Sequence, residues 1–111
     1  MELVLESRKE TDPPCFCNQR TTMERRRVHF SGHVQGVGFR YTTVSVARRH
    51  AVTGYVQNIS DGRVVVVAEG EGAELDRFLA DLNETMQEYI RSTDSETNPP
   101  SGEFPGFQVR F

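Results

Sequence analysis

The sequence predicts one α+β domain with the element order β-α-β-β-α-β, and three observations predict it. Two segments repeat apolar residues at the helical period. Short runs of β-branched and aromatic residues flank them. A polar turn of hairpin type joins the two such runs lying between the helices. At 111 residues and 36% apolar content, the chain has room for one modest core. No run of 18 apolar residues offers a membrane span.

Taken in order, residues 1–24 read as a flexible N-terminal extension and 25–111 as the folded domain. The first stretch is polar, is broken by Pro13-Pro14 and shows no sustained period. Its start, Met1 to Glu6, is acidic, and its apolar run is too short for a signal peptide, so a cytoplasmic location is expected. That setting disfavours a disulfide between Cys15 and Cys17. Two thiols and scattered histidines at 29, 33 and 50 do not compose a zinc site.

Residues 25–33 alternate as a strand, with Val28 and Phe30 on one side and Arg27, His29 and Ser31 on the other. Residues 39–50 read as a helix with Tyr41, Val44, Ala47 and Ala51 on its buried face. Arg48, Arg49 and His50 fall in its last turn, where positive charge suits the dipole. Gly54 opens a strand running to Asn58. Ser60-Asp61-Gly62 turns the chain into a third strand, Val64 to Ala68. Residues 73–86 form the clearest helix, with Leu75, Phe78, Leu79, Leu82 and Met86 on one stripe and Glu74 and Asp76 near its start. Residues 90–97 have weak strand character suited to an edge. Phe107, Val109 and Phe111 alternate as a final strand. The sum is a ferredoxin-like βαββαβ sandwich with a possible extra strand. Its sheet is mostly antiparallel, with two helices on one face.

The net charge of −3 conceals an asymmetry. Residues 20–50 carry seven arginines against one acid, and residues 60–103 carry eleven acids against three arginines. This predicts a dipolar molecule with a basic end that draws anions. Lys9 is the only lysine, so that end is built of guanidinium forks, which match phosphate and carboxylate geometry.

The chemistry concentrates in Gly32-His33-Val34-Gln35-Gly36-Val37-Gly38-Phe39-Arg40. Glycines let successive N–H groups face one space, and the helix start adds free N–H groups and a positive dipole end. Phosphate or carboxylate fits such a cradle, with Arg40 meeting the remaining charge. Phe39-Arg40 stands where a Walker loop has Lys-Ser/Thr, and a dinucleotide fingerprint needs a longer α/β sheet. Val34 occupies the place of a phosphatase nucleophilic cysteine, and no G-x-S-x-G occurs.

This loop closely resembles the signature loop of the acylphosphatase family. Gly54-Tyr55-Val56-Gln57-Asn58, followed by Gly62, Val64 and Gly70, is similar to that family's second signature. Pro100 to Phe104 and then Phe107 is similar to many members' endings. The resemblance spans roughly residues 25–111. It implies the ferredoxin-like fold and hydrolysis of acyl phosphates to carboxylate and phosphate. It implies that Arg40 binds the phosphoryl group together with backbone N–H groups of Gln35, Gly36, Val37, Gly38, Phe39 and Arg40, and that Asn58 orients the attacking water. Gln35 is expected to act through its backbone more than its side chain. Implied partners are a small-molecule acyl phosphate and inorganic phosphate as product or inhibitor, with no metal or cofactor. No nucleic acid or membrane partner is expected, and the chain is expected to be a monomer. A base-stacking RNA sheet would need exposed aromatics in its central strands, whereas the third strand here is valine and alanine.

Overall fold

The computed structural model describes residues 22–111; most of the N-terminal stretch, including Cys15 and Cys17, lies outside the described residues. Seven elements follow in order: β1 (Met23–Gly32), α1 (Phe39–Ala47), β2 (Thr53–Asn58), β3 (Val64–Glu71), α2 (Gly72–Thr85), β4 (Ile90–Asn98) and β5 (Phe107–Arg110). The sheet order is β4-β1-β3-β2-β5. All neighbours are antiparallel except β2 and β5, which run parallel. This is the ferredoxin-like α+β arrangement. β4 takes the fourth-strand place beside β1, and β5 adds a strand at the opposite edge. No helix among the described residues is long and apolar enough to cross a membrane.

One face of the sheet builds the core. Val28 and Phe30 of β1, Val56 of β2, and Val64, Val66 and Ala68 of β3 lie against Leu75, Phe78 and Leu82 of α2. The clear stripe of α2 is therefore the buried one. In α1 the expected stripe is rotated: Phe39, Thr43, Val46 and Ala47 are buried, Val44 is half-buried, and Tyr41 is 65% exposed. Phe39 fixes this rotation by packing its ring against Phe30, with centroids 5.2 Å apart. The helix also stops at Ala47. Arg49 and His50 lie past its end and serve α2 instead. Arg49 donates to Asp81, and the His50 ring contacts Glu74 and Asp81.

Strand boundaries differ at the edges. β1 starts two residues earlier than expected, because Met23 and Glu24 pair with Glu71 and Gly70 of a longer β3. β4 is a full strand although residues 91–97 are all exposed. Its ladder to β1, running from Arg25↔Asn98 to Ser31↔Ser92, depends on backbone pairing rather than side-chain burial. Its polar, acid-bearing surface also discourages edge-to-edge association.

Among the described residues, several of the charges segregated in sequence are paired in space. Arg25 pairs with Glu69 at 2.8 Å and Glu103 at 2.7 Å, Arg26 with Asp76 at 2.8 Å, and Arg49 with Asp81 at 3.1 Å. The β1–β3 register sets Arg25 opposite Glu69, while Asp76 and Asp81, which meet Arg26 and Arg49, belong to α2.

One of these pairs fastens the connection from β4 to β5, which crosses from one sheet edge to the other. Glu69, 4% exposed, accepts from Arg25 Nε, Ser101 N, Ser101 Oγ and Gly102 N at 2.8–2.9 Å. Burial alone would raise its pKa. The N–H groups of Ser101 and Gly102, with Arg25, outweigh burial and hold the carboxyl at about 2 against an ordinary 4.5. Its stabilising contribution is therefore complete above the ordinary carboxylate range and is lost as pH falls toward 2. The integrated value is roughly 3 kcal/mol. Urea denaturation of wild type and Glu69→Gln between pH 7 and pH 2 is expected to give stabilities that converge on acidification. A constant difference across that range would reject this account.

Candidate active site

The loop between β1 and α1 is held at both ends by the core. Val34 is 1% exposed and Phe39 is 2% exposed, so the four residues between them span two fixed points. Gly36 and Gly38 make that span possible, with φ of 81° and 78°. A Cβ at either position would meet nothing within 4 Å, so backbone conformation and not space demands glycine there. Among the described residues, the N–H groups from Gln35 to Arg40 donate to no protein acceptor; the first helical bond is Thr42 N–H to Gly38 O at 3.0 Å. The loop therefore offers a run of free donors at the positive end of α1.

Gln35 does more than contribute backbone. Its Nε2 donates to Ile59 O at 2.8 Å and Arg63 O at 3.0 Å. These carbonyls lie on either side of the β2–β3 turn, so the side chain clamps the loop onto the hairpin that carries Asn58. Nothing in the sequence near Gln35 announces this bond, because its partners lie 24 and 28 residues away.

Asn58 ends β2 opposite Val64. An asparagine before a turn commonly serves the turn, but here Asp61 takes that task. Its carboxylate accepts from Arg63 N–H at 3.1 Å and Arg63 Nε at 2.8 Å, while Gly62 N–H donates to Ile59 O at 3.1 Å. The pKa of Asp61 is lowered chiefly by that Arg63 N–H. Among the described residues the Asn58 carboxamide makes no hydrogen bond to protein, so its donor and acceptor remain available.

These parts meet in one cavity of about 110 Å³, lined by Val34, Gly36, Gly38, Phe39, Arg40, Tyr41 and Asn58. Arg40 and Asn58 are thus brought together with the glycines of the loop. Gln35 and Val37 do not line the cavity; Gln35 is engaged in its clamp and Val37 packs against the core. Two lining residues were not anticipated. Val34 is a core anchor that reaches the cavity wall, and Tyr41 follows Arg40 directly, a proximity visible in the sequence. Among the described residues Arg40 makes no ion pair, and its guanidinium carbon lies 5.1 Å from the centre of the Phe111 ring. Arg25, Arg26 and Arg49, by contrast, pair with carboxylates. The arrangement can bind a small tetrahedral anion through backbone donors and a forked cation, and can hold a water by an amide beside it.

Comparison with known proteins shows the family. The family model described as Acylphosphatase matches residues 26–109. An acylphosphatase of Oceanobacillus iheyensis is 35% identical over 91 residues, covering 80% of this chain and 100% of that protein. An acylphosphatase of Rubrobacter xylanophilus is 41% identical over 88 residues, covering 78% of this chain and 80% of that one. The crystal structure of acylphosphatase from Bacillus subtilis is similar with a TM-score of 0.72 and 26% identity, covering 79% of this chain and 99% of that one. The loop, the hairpin and the fold around them are those of one family, and this chain belongs to the acylphosphatase family.

Proposed function

We propose that the chain hydrolyses acyl phosphates to a carboxylate and inorganic phosphate without a covalent enzyme intermediate. Its loop N–H groups and Arg40 would hold the phosphoryl group while Asn58 orients the attacking water. The single observation that supports this reading is the shared cavity, which Asn58, the loop glycines and Arg40 line together. The carboxylate leaving group has a low pKa, about 4–5 on the carboxylate scale, so it departs without a protonating acid. Phosphoryl transfer to water then needs positioning and stabilisation of charge on the equatorial oxygens. Free N–H groups and a guanidinium fork supply the second; the core anchors and the Gln35 clamp keep them in place before substrate arrives. The Asn58 amide oxygen accepts a hydrogen bond from the water O–H, and its NH2 donates one to the water oxygen. It is no base, so the water's proton passes to a phosphoryl oxygen as the acyl–oxygen–phosphorus bridge breaks on the phosphorus side.

Asn58→Ala tests this division of labour. Benzoyl phosphate hydrolysis, measured with chelator present, is expected to fall in kcat by about tenfold to a hundredfold. Competitive inhibition by inorganic phosphate is expected to stay within about twofold of wild type, because binding and water orientation are separate tasks. Full turnover in the variant would remove Asn58 from the mechanism. Phosphate binding by wild type with no turnover would reject the hydrolase reading.

A further inference from the structure

The cradle cavity, at about 110 Å³, accommodates little beyond a phosphoryl group, so the acyl part of a substrate must lie outside it. A second groove of about 330 Å³ runs between α1 and β5. Tyr41 lines both. From Tyr41 the groove follows α1 along Val44, Ser45 and Arg48, at spacings of three, four and seven residues, which place them on one helical stripe. Its opposite wall is β5, through Phe107, Gln108 and Val109. The stripe rises about 10 Å from Tyr41 to Arg48.

We propose that this groove between α1 and β5 is the acyl subsite, and that it favours apolar acyl groups, aryl or medium-chain, over small ones. The inference rests on the acyl phosphate hydrolysis proposed above. Three features support it. The floor is apolar, formed by Val44, Phe107 and Val109, each only partly buried against the core. Exposed aromatics stand beside the cradle: the large hydrophobics exposed among the described residues are Met23, Tyr41 and Phe111, of which Tyr41 lines the groove and follows Arg40 in sequence, and Phe111 lies against the Arg40 guanidinium. No acid lines the groove, and its one charged residue, Arg48, stands at the far end, so nothing along it repels an anionic substrate. The volume lies within the range of about 300–1,000 Å³ usual for small-molecule sites.

Acetyl, hexanoyl, benzoyl and succinyl phosphates, assayed with the full-length chain, test the inference. Wild type is expected to prefer hexanoyl and benzoyl phosphate to acetyl phosphate by about tenfold or more in kcat/KM, mainly through KM. Ser45→Trp fills the groove from an exposed position and is expected to raise KM for the two larger apolar substrates by about tenfold. Acetyl phosphate kcat/KM is expected to change by less than about twofold. Gln108→Trp, from the facing wall, is expected to do the same, so the test does not depend on one variant folding. Equal kcat/KM for acetyl and benzoyl phosphate in wild type, or no substrate-dependent effect in either variant, would overturn the subsite while leaving the hydrolase reading intact. A preference for succinyl over hexanoyl phosphate would overturn the apolar assignment. Turnover of none of the four would reject the hydrolase reading itself.

Discussion

Arg40→Ala is expected to lower kcat/KM for benzoyl phosphate by about a hundredfold to a thousandfold, the loss of roughly 3–4 kcal/mol of charge stabilisation. Its thermal midpoint is expected to remain near that of wild type. The two halves of this expectation come from the same observation. Arg25, Arg26 and Arg49 hold the fold through carboxylates on other elements. Arg40 has no such pair among the described residues, and lines the cradle cavity instead. The contact it would forfeit, the Phe111 ring at 5.1 Å, is exposed and worth about 0.5–1 kcal/mol. Arg40→Lys keeps the charge but loses the planar fork, so its activity is expected between the two. Hydrolysis assays and thermal unfolding on the three proteins decide the matter. A loss below about tenfold for Arg40→Ala would mean that the backbone donors alone carry the phosphoryl charge.

The site was legible because its determinants are local and backbone-driven. Glycines at 32, 36 and 38 followed at once by an arginine specify a turn into a helix start, whatever surrounds them. Asn58 was legible through its neighbours, although the fact that frees it, Asp61 closing the turn, needed coordinates. What the sequence concealed depends on contacts between distant residues. The rotation of α1 is fixed by Phe39 meeting Phe30, and only that contact turns Tyr41 outward. Periodicity alone places Tyr41 in the core, because an aromatic at the right spacing has the same signature whether it faces protein or solvent. The Gln35 clamp and the Glu69 cluster each span more than 20 residues of chain. Charge counting does not reveal these pairings, for a related reason. Runs of one sign describe a surface only when the run stays together, and an antiparallel sheet sets β1 against β3 and β4.

Gly54→Ala is expected to destabilise the fold by about 3–4 kcal/mol, with a thermal midpoint lower by roughly 15 °C or more. A Cβ at this position would stand 1.8 Å from Val67 O, a backbone atom that cannot rotate away, and φ is 145°. The two strands must separate, and β2 cannot shift alone. It pairs with β3 on one side and β5 on the other, and Gly54 N–H itself donates to Gly106 O at 2.9 Å. Both pairings would be strained by one methyl group. Asn58 lies at the other end of the same short strand, so displacement is expected to reach its amide. The Gln35 clamp opposes it there, because Ile59 O and Arg63 O are fixed to the loop rather than to β5. The folded fraction of Gly54→Ala should accordingly bind phosphate nearly as wild type does, while its kcat falls. Urea denaturation gives the first quantity, and phosphate inhibition beside turnover gives the second. A stability within about 1 kcal/mol of wild type would show that β2 and β3 can part without cost, and would remove the reason for glycine at the head of β2.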